Sequence, residues 1–239
     1  MPSLGRLHLI TDTRPGRDPL GVLRAALSAA RAASAVDQLV VQVRVEDSAT
    51  DREAYDLASR VAPLCAEAGA TCLVNDRLHV ALAVGAAGGH VGALDLPVDA
   101  ARRVLGCAAP DRPALLGATA RTPEAGRAAV AASADYLGVG PCFATATKDG
   151  LPAPIGGAGV RAVADAVGVP VVAIGGVTVE RVPELLAAGA YGVAVVGAVS
   201  NAADPARATT ELLAAVSEAP PRHAHRHSKG PFRPEGAGA

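Results

Sequence analysis

Tryptophan is absent from this chain of 239 residues, and aromatic side chains make up only 2% of it although half of the residues are hydrophobic. Large ring stacks are therefore excluded as the basis of the core, whose interior must be built from Ala, Val, Leu and Ile; such residues suit close packing of helices on a sheet. An excess of one charge is also lacking, since 22 Lys and Arg meet 23 Asp and Glu for a formal net charge of −1. With the basic residues scattered, there is no electrostatic footprint for nucleic acid or an anionic membrane, and both are set aside as partners. No apolar run is long enough to span a bilayer, and MPSLGRLHLITD enters a strand-like run without a long apolar leader segment. A soluble cytoplasmic protein is expected. The four cysteines, Cys65, Cys72, Cys107 and Cys142, form no C-x-x-C pair and have no His nearby at metal spacing, so they read as reduced, buried thiols.

What is present is an alternation. Between residues 7 and 216, short apolar runs (LHLIT 7–11, LVVQVR 39–44, TCLVN 71–75, GHVG 89–92, ALLGAT 114–119, YLGVG 136–140, VVAIG 171–175 and GVAVVG 192–197) alternate with Ala/Leu/Arg segments at helical spacing. The runs lack strict apolar–polar alternation, as strands covered on both faces should. Clear helical patterns occupy 52–69 and 180–189. A recurring join, seen in EAGATCLVN, AAGGHVG, ASADYLGVG and AAGAYGVAVVG, predicts helices that stop at Gly as the left-handed residue and turn directly into a strand. Eight such units predict one α/β domain over residues 1–216, a (β/α)8 TIM barrel with a parallel sheet. A doubly wound sheet loses ground because no G-x-G-x-x-G follows the first strand, which ends in Thr11, Asp12 and Thr13. Residues 217–239, rich in Pro, Gly and charge, predict a disordered tail, where His223, His225 and His227 imply nothing specific. The pattern leaves a homo-oligomer open.

In a barrel the active site stands at the C-terminal ends of the strands. Those ends carry Gln42 and Arg44; Asn75, Asp76 and Arg77; His90 through Asp95; Thr119 and Arg121; Thr145, Thr147 and Lys148; Gly175 and Gly176; and Gly197. Singly, each has a bland explanation: Asp76 could cap a helix, Gln42 and Arg44 could form a surface network, and the paired glycines could be a turn. Their convergence on one rim, opposite a rim of Gly, Ala and small polar residues, points to a functional site.

The chemistry these residues suit is phosphate chemistry. Gly175, Gly176 and Gly197, after the seventh and eighth strands, match the place where barrels commonly hold a monophosphate. Asp76 and Asp95, on adjacent strands, are hard oxygen ligands suited to Mg2+, which keeps several waters and shares one or two carboxylates with a substrate phosphate. Arg44 and Lys148 could neutralise a second, more highly charged group such as a diphosphate. Two anion sites and one metal suggest a transfer between two small phosphorylated substrates.

At these residues the sequence resembles the thiamine-phosphate synthases, in the superfamily that also contains the TenI-like thiazole tautomerases. The resemblance covers nearly all of 7–216. It rests on Q-x-R at Gln42 and Arg44, N-D-R at Asn75–Arg77, H-x-G-x-x-D from His90 to Asp95, G-V-G-P-x-F-x-T-x-T-K from Gly138 to Lys148, A-I-G-G-V from Ala173, and V-A-V-V at 193–196. It implies a magnesium-dependent transferase that joins 4-amino-2-methyl-5-hydroxymethylpyrimidine diphosphate to thiazole monophosphate, giving thiamine phosphate and pyrophosphate. By matching position, Gln42, Arg44, Asn75, Thr119 and Lys148 would hold the pyrimidine diphosphate, and Asp76 and Asp95 the metal. Thr145, Thr147, Gly176, Val196 and Gly197 would meet the thiazole phosphate. Lys148, Arg44 and Thr119 would carry the catalytic weight by stabilising the leaving group.

The chain departs from the family pattern at Glu46, where a Lys is usual. It departs also at Ala93 for Gln, Thr119 for Ser, Ala144 for Pro and Gly197 for Ser. Arg121, where many relatives carry His, is expected either to supply the positive charge missing at Glu46 or to pair with Glu124. Two other readings stay open: a TenI-like tautomerase, and a weakly catalytic paralogue that binds thiazole phosphate or thiamine phosphate.

Overall fold

The computed structural model describes residues 4–107, 114–145, 147 and 150–218, the side chain of Cys107 apart. Most of the expected tail, from residue 219, and Lys148 lie outside the described residues. Eight strands form a closed parallel barrel in chain order: β1 (Leu7–Ile10), β2 (Leu39–Val43), β3 (Thr71–Asn75), β4 (Gly88–Val91), β5 (Leu115–Ala120), β6 (Tyr136–Val139), β7 (Val171–Ile174) and β8 (Gly192–Val195). Pairing of β1 with β8, with Leu7 opposite Val193 and Leu9 opposite Val195, closes the sheet. The strands are nearly all buried because helices cover their outer faces and side chains fill the lumen.

The helices around the barrel are α1 (Pro19–Ala32), α2 (Asp51–Ala68), α3 (Leu78–Ala83), α4 (Val98–Cys107), α5 (Pro123–Ala131), α6 (Gly156–Ala166), α7 (Val182–Ala187), the single turn α8 (Gly197–Ser200) and α9 (Pro205–Ser217). Their starts are written locally. Asp18 accepts from the Gly21 amide ahead of Pro19, Thr50 and Glu53 form a reciprocal capping box, and Thr122 and Asp204 cap helices that open with Pro123 and Pro205. Their ends share one device. Ser34, Gly69, Gly85, Ser133 and Gly189 all have positive φ, and each is followed by an Ala whose amide bonds back into the last helical turn. For Ala134 the acceptor is the Ala129 carbonyl, at 3.0 Å, which gives the six-to-one bond of a Schellman cap. The join thus recurs as expected, but Ser takes the left-handed position in two of the five copies, and in AAGGHVG the residue is the preceding Gly85.

Two shells of core result. The outer one, between strands and helices, is built from Leu, Val and Ala, among them Leu23, Ala26 and Ala30 of α1 and Val61 and Cys65 of α2. The lumen departs from the expectation of an all-aliphatic interior. Beside Ile10, Val40, Leu73 and Val172 it holds Tyr136, with His8 and His90 on either side at ring-centroid distances of 5.3 and 5.6 Å. Cys65, Cys72 and Cys142 are free and buried, and burial pushes the Cys142 thiol up to about 11. Among the described residues no helix is long and apolar enough to cross a membrane.

Candidate active site

The polar floor of the mouth begins on β2 and β3. Gln42 points into the lumen, almost fully buried, and donates through Nε2 to Asn75 Oδ1 at 2.7 Å; the Asn75 amide in turn donates to Asp76 Oδ2. Asp76 has a φ of 58°, a conformation that Asp tolerates better than most residues, and its amide donates to the His90 carbonyl at 2.8 Å. This turn ties the end of β3 to β4. On the loop that follows β4, Asp95 is exposed and accepts the Gly92 amide at 3.0 Å. Asp76 and Asp95 therefore stand on adjacent loops at the same end of the barrel. Among the described residues no group of three or more His, Cys, Asp or Glu comes together, so among them a metal here would find at most this pair. Two carboxylates fit Mg2+, which retains its own waters and takes further oxygens from substrate, and do not fit a closed zinc cage.

Arg44 leaves β2 with little exposure and meets two anions, Glu46 at 3.3 Å and Asp47 at 3.2 Å. The backbone beneath it is locked by β1: the Arg44 amide donates to Thr11 Oγ1 at 2.8 Å, the same hydroxyl donates to the Arg44 carbonyl at 2.6 Å, and the Glu46 amide donates to Thr13 Oγ1. Arg77, next in sequence to Asp76, turns away to Asp51 and the Ala49 carbonyl at the start of α2 and serves the fold.

Arg121 meets neither expectation in full. Its guanidinium donates to the Gly140 carbonyl at 3.1 Å and the Ala153 carbonyl at 2.6 Å, while Glu124 pairs with Arg127. Arg121 thus staples the two ends of the loop after β6, and its bonds are to backbone carbonyls on that side of the mouth.

That loop brings the remaining residues together. The Cys142 and Phe143 amides donate to the Ile174 and Gly175 carbonyls at 2.8 and 3.0 Å, laying the loop on the end of β7. Contact is so close that a Cβ on Gly175 would stand 2.6 Å from Pro141 Cβ, and one on Gly176 2.6 Å from the Ala144 carbonyl oxygen; both glycines also have positive φ. Arg181 stacks over Phe143 at 4.2 Å and donates to the Gly176 carbonyl. Further along, Thr145 and Thr147 share a hydrogen bond of 3.0 Å, and Thr147 packs on Gly197, where a Cβ would lie 3.3 Å from its Cγ2. Val196 and Gly197 open α8, whose first amides have no partner within the helix. Thr145, Thr147, Gly175, Gly176, Val196 and Gly197 thus stand beyond the ends of β6, β7 and β8 on one side of the mouth.

Two features had no reading in the sequence. Asp12, at the end of β1, accepts from Arg14 Nε and Nη2 at 2.8 and 2.7 Å and from Ser200 Oγ of α8 at 2.9 Å. The Arg14 hydrogen bonds hold its carboxyl at about 2, outweighing the opposite pull of burial. The second is the seating of Thr119 on the buried His90: its hydroxyl lies 3.0 Å from His90 Nε2, and burial pushes that imidazole down to about 4. The only local signal for either was an isolated polar residue in an apolar strand.

The profile of the thiamine monophosphate synthase family matches residues 7–199. The chain belongs to this family. The thiamine-phosphate synthase of Salinispora arenicola is 68% identical over 217 residues, spanning 91% of this chain and 100% of that protein. A thiamine-phosphate synthase of Haloquadratum walsbyi is 43% identical across 89% of this chain and 91% of its own length. Among solved structures, thiamine phosphate pyrophosphorylase from Pyrococcus furiosus superposes with a TM-score of 0.75 at 35% identity, covering 89% of this chain and 96% of that chain. The 3-hexulose-6-phosphate synthase of Salmonella typhimurium, with a TM-score of 0.65 at 16% identity, shares the barrel fold alone.

Proposed function

We propose that this family member is a thiamine-phosphate synthase, a transferase that joins the pyrimidine diphosphate to thiazole monophosphate with release of pyrophosphate. The observation that carries the reading is the division of one barrel mouth into two sides. On one side Gln42, Asn75 and Asp76 form a hydrogen-bonded floor, and Arg44, two residues beyond Gln42, stands paired with Glu46. On the other, Thr145, Thr147, Gly176 and Gly197 make a shell of hydroxyls and close backbone.

In this reading the diphosphate lies over the first side, with Arg44, Lys148 and Thr119 donating to it and Gln42 and Asn75 fixing its pyrimidine end. The bond between the pyrimidine methylene carbon and the diphosphate oxygen breaks, its electron pair leaving with pyrophosphate. The ring nitrogen of the thiazole then attacks the methylene cation. Bound by Asp76 and Asp95, Mg2+ would supply charge neutralisation to the departing pyrophosphate. Thr145, Thr147, Gly176, Val196 and Gly197 hold the thiazole phosphate so that its nitrogen faces that carbon. No protein nucleophile is needed, and the hydrogen-bonded floor is already ordered before substrate arrives. Small phosphorylated substrates of this kind fit an enzyme of the cytoplasm.

A tautomerase is disfavoured because Arg121, at the position of that branch's histidine, is spent on two carbonyls and is no base. The pairing of Arg44 with Glu46 favours a second reading, a binder of thiazole phosphate with little turnover. Purified protein given both substrates separates them: thiamine phosphate marks the synthase, whereas bound thiazole phosphate without product marks the binder.

A further inference from the structure

The lumen of the barrel contains a hydrogen-bonded column of which the proposed reaction uses only the outermost member, Thr119. Strands β5 and β6 carry glycine at two inward positions, and the space is taken by two rings. A Cβ on Gly117 would lie 2.1 Å from Tyr136 Cζ and 2.4 Å from His90 Nδ1; one on Gly138 would lie 2.9 Å from His90 Cε1. The glycines make room for the Tyr136–His90 pair and leave little space for either ring to rotate. Tyr136 is 1% exposed and its hydroxyl stands 3.2 Å from His90 Nδ1. His90 Nε2 stands 3.0 Å from Thr119 Oγ1, and Thr119 is the only one of the three that reaches the mouth.

The direction of each bond follows from counting donors. Among the described residues the Tyr136 hydroxyl has one hydrogen-bond partner, His90 Nδ1. A buried O–H needs an acceptor, and leaving one unmet costs more than an ordinary hydrogen bond contributes. Tyr136 therefore donates and Nδ1 accepts. A neutral imidazole that accepts at one nitrogen carries its proton on the other. Nε2–H then donates to Thr119 Oγ1, which leaves the threonine hydrogen to point elsewhere.

We propose that Tyr136 and His90 are positioning residues that fix the Thr119 hydroxyl as a donor, its hydrogen turned out of the lumen toward an anionic oxygen of the substrate in the mouth. This rests on the proposed function insofar as that oxygen belongs to the diphosphate. Burial pushes the Tyr136 hydroxyl up, which keeps it a donor to Nδ1. In the opposite arrangement Thr119 would donate inward and present only lone pairs, which a diphosphate repels.

Two measurements test it. In ligand-free protein labelled with 15N-histidine, with the His90 resonances assigned from their loss in His90→Gln, His90 is expected as the Nε2–H tautomer with a bare Nδ1; an Nδ1–H tautomer overturns the proposal. Second, Tyr136→Phe is expected to weaken binding of magnesium pyrophosphate about tenfold. Thr119→Ala should give the same loss, Thr119→Ser should restore binding, and the double variant Tyr136→Phe with Thr119→Ala should lose no more than Thr119→Ala alone. A purely structural Tyr136 would instead add its loss to that of Thr119→Ala, which contradicts the proposal. Neither measurement needs turnover. Protein that forms no thiamine phosphate yet shows the tautomer and the coupling refutes the proposed reaction and leaves this inference standing.

Discussion

The guanidinium of Arg44 lies 3.3 Å from the carboxylate of Glu46, two residues along the same loop. Read from sequence, Glu46 looked like an anion set where the family places a cation beside the diphosphate. In the fold it pairs with Arg44, so under the proposed function the diphosphate competes with Glu46 for that guanidinium. Glu46→Gln removes that competition, worth about 1 kcal/mol for a partly exposed pair. The KM for the diphosphate substrate should fall about fivefold with kcat little changed, and the gain should shrink in high salt. An unchanged KM at low salt would show that Glu46 does not hold Arg44 back.

Asp12 joins the end of β1 to α8 through Ser200, across the seam where the barrel closes. Its folded-state carboxyl titrates at about 2, below the ordinary 3.8, so it binds fewer protons folded than unfolded. The stabilisation, about 2 kcal/mol, is fully present above pH 4 and is lost as the pH falls from there toward 2. Asp12→Asn should therefore lower the melting temperature at pH 7, and the gap to wild type should close in acid. A gap independent of pH would mean that the charge on Asp12 contributes nothing.

Ser133 ends α5 with a φ of 76°, the role that glycine fills after α2 and α7. Left-handed backbone costs an L-residue about 1–2 kcal/mol, and glycine returns about half of that gain through its freer unfolded chain. Ser133→Gly should stabilise the protein by about 0.5–1 kcal/mol, seen as a rise of about 2 °C in Tm. A fall in Tm would show that the serine side chain stabilises the join.

Asp76→Asn keeps a residue that accepts positive φ, and Asp95→Asn alters an exposed loop, so both variants should fold. Each should raise the Mg2+ concentration needed for half-maximal activity about tenfold or more. Unchanged magnesium dependence in both would remove these residues as ligands.

Much of this was legible in the chain. All eight strands fall within a residue or two of the apolar runs, because a buried parallel strand leaves an uninterrupted signal of its own. The convergence of Gln42, Asn75 and Asp76, and of Thr145 and Thr147 with Gly176 and Gly197, follows from placing motifs at strand ends once the barrel is assumed. What could not be read were contacts set by register and closure. Arg121 finds the carbonyls of Gly140 and Ala153, groups that every residue possesses and no motif marks. Asp12 meets Ser200 at a separation of 188 residues. Tyr136 and His90 meet because Gly117 and Gly138 are absent side chains, and a missing Cβ in a strand is a faint signal.

Thiamine phosphate and pyrophosphate should be quantified together, from purified protein with both substrates, in Mg2+ and in EDTA. A magnesium-dependent synthase makes the two products in equal amounts with Mg2+ and neither with EDTA. Thiazole phosphate bound without either product in Mg2+, or product formed equally well in EDTA, would contradict the proposed function.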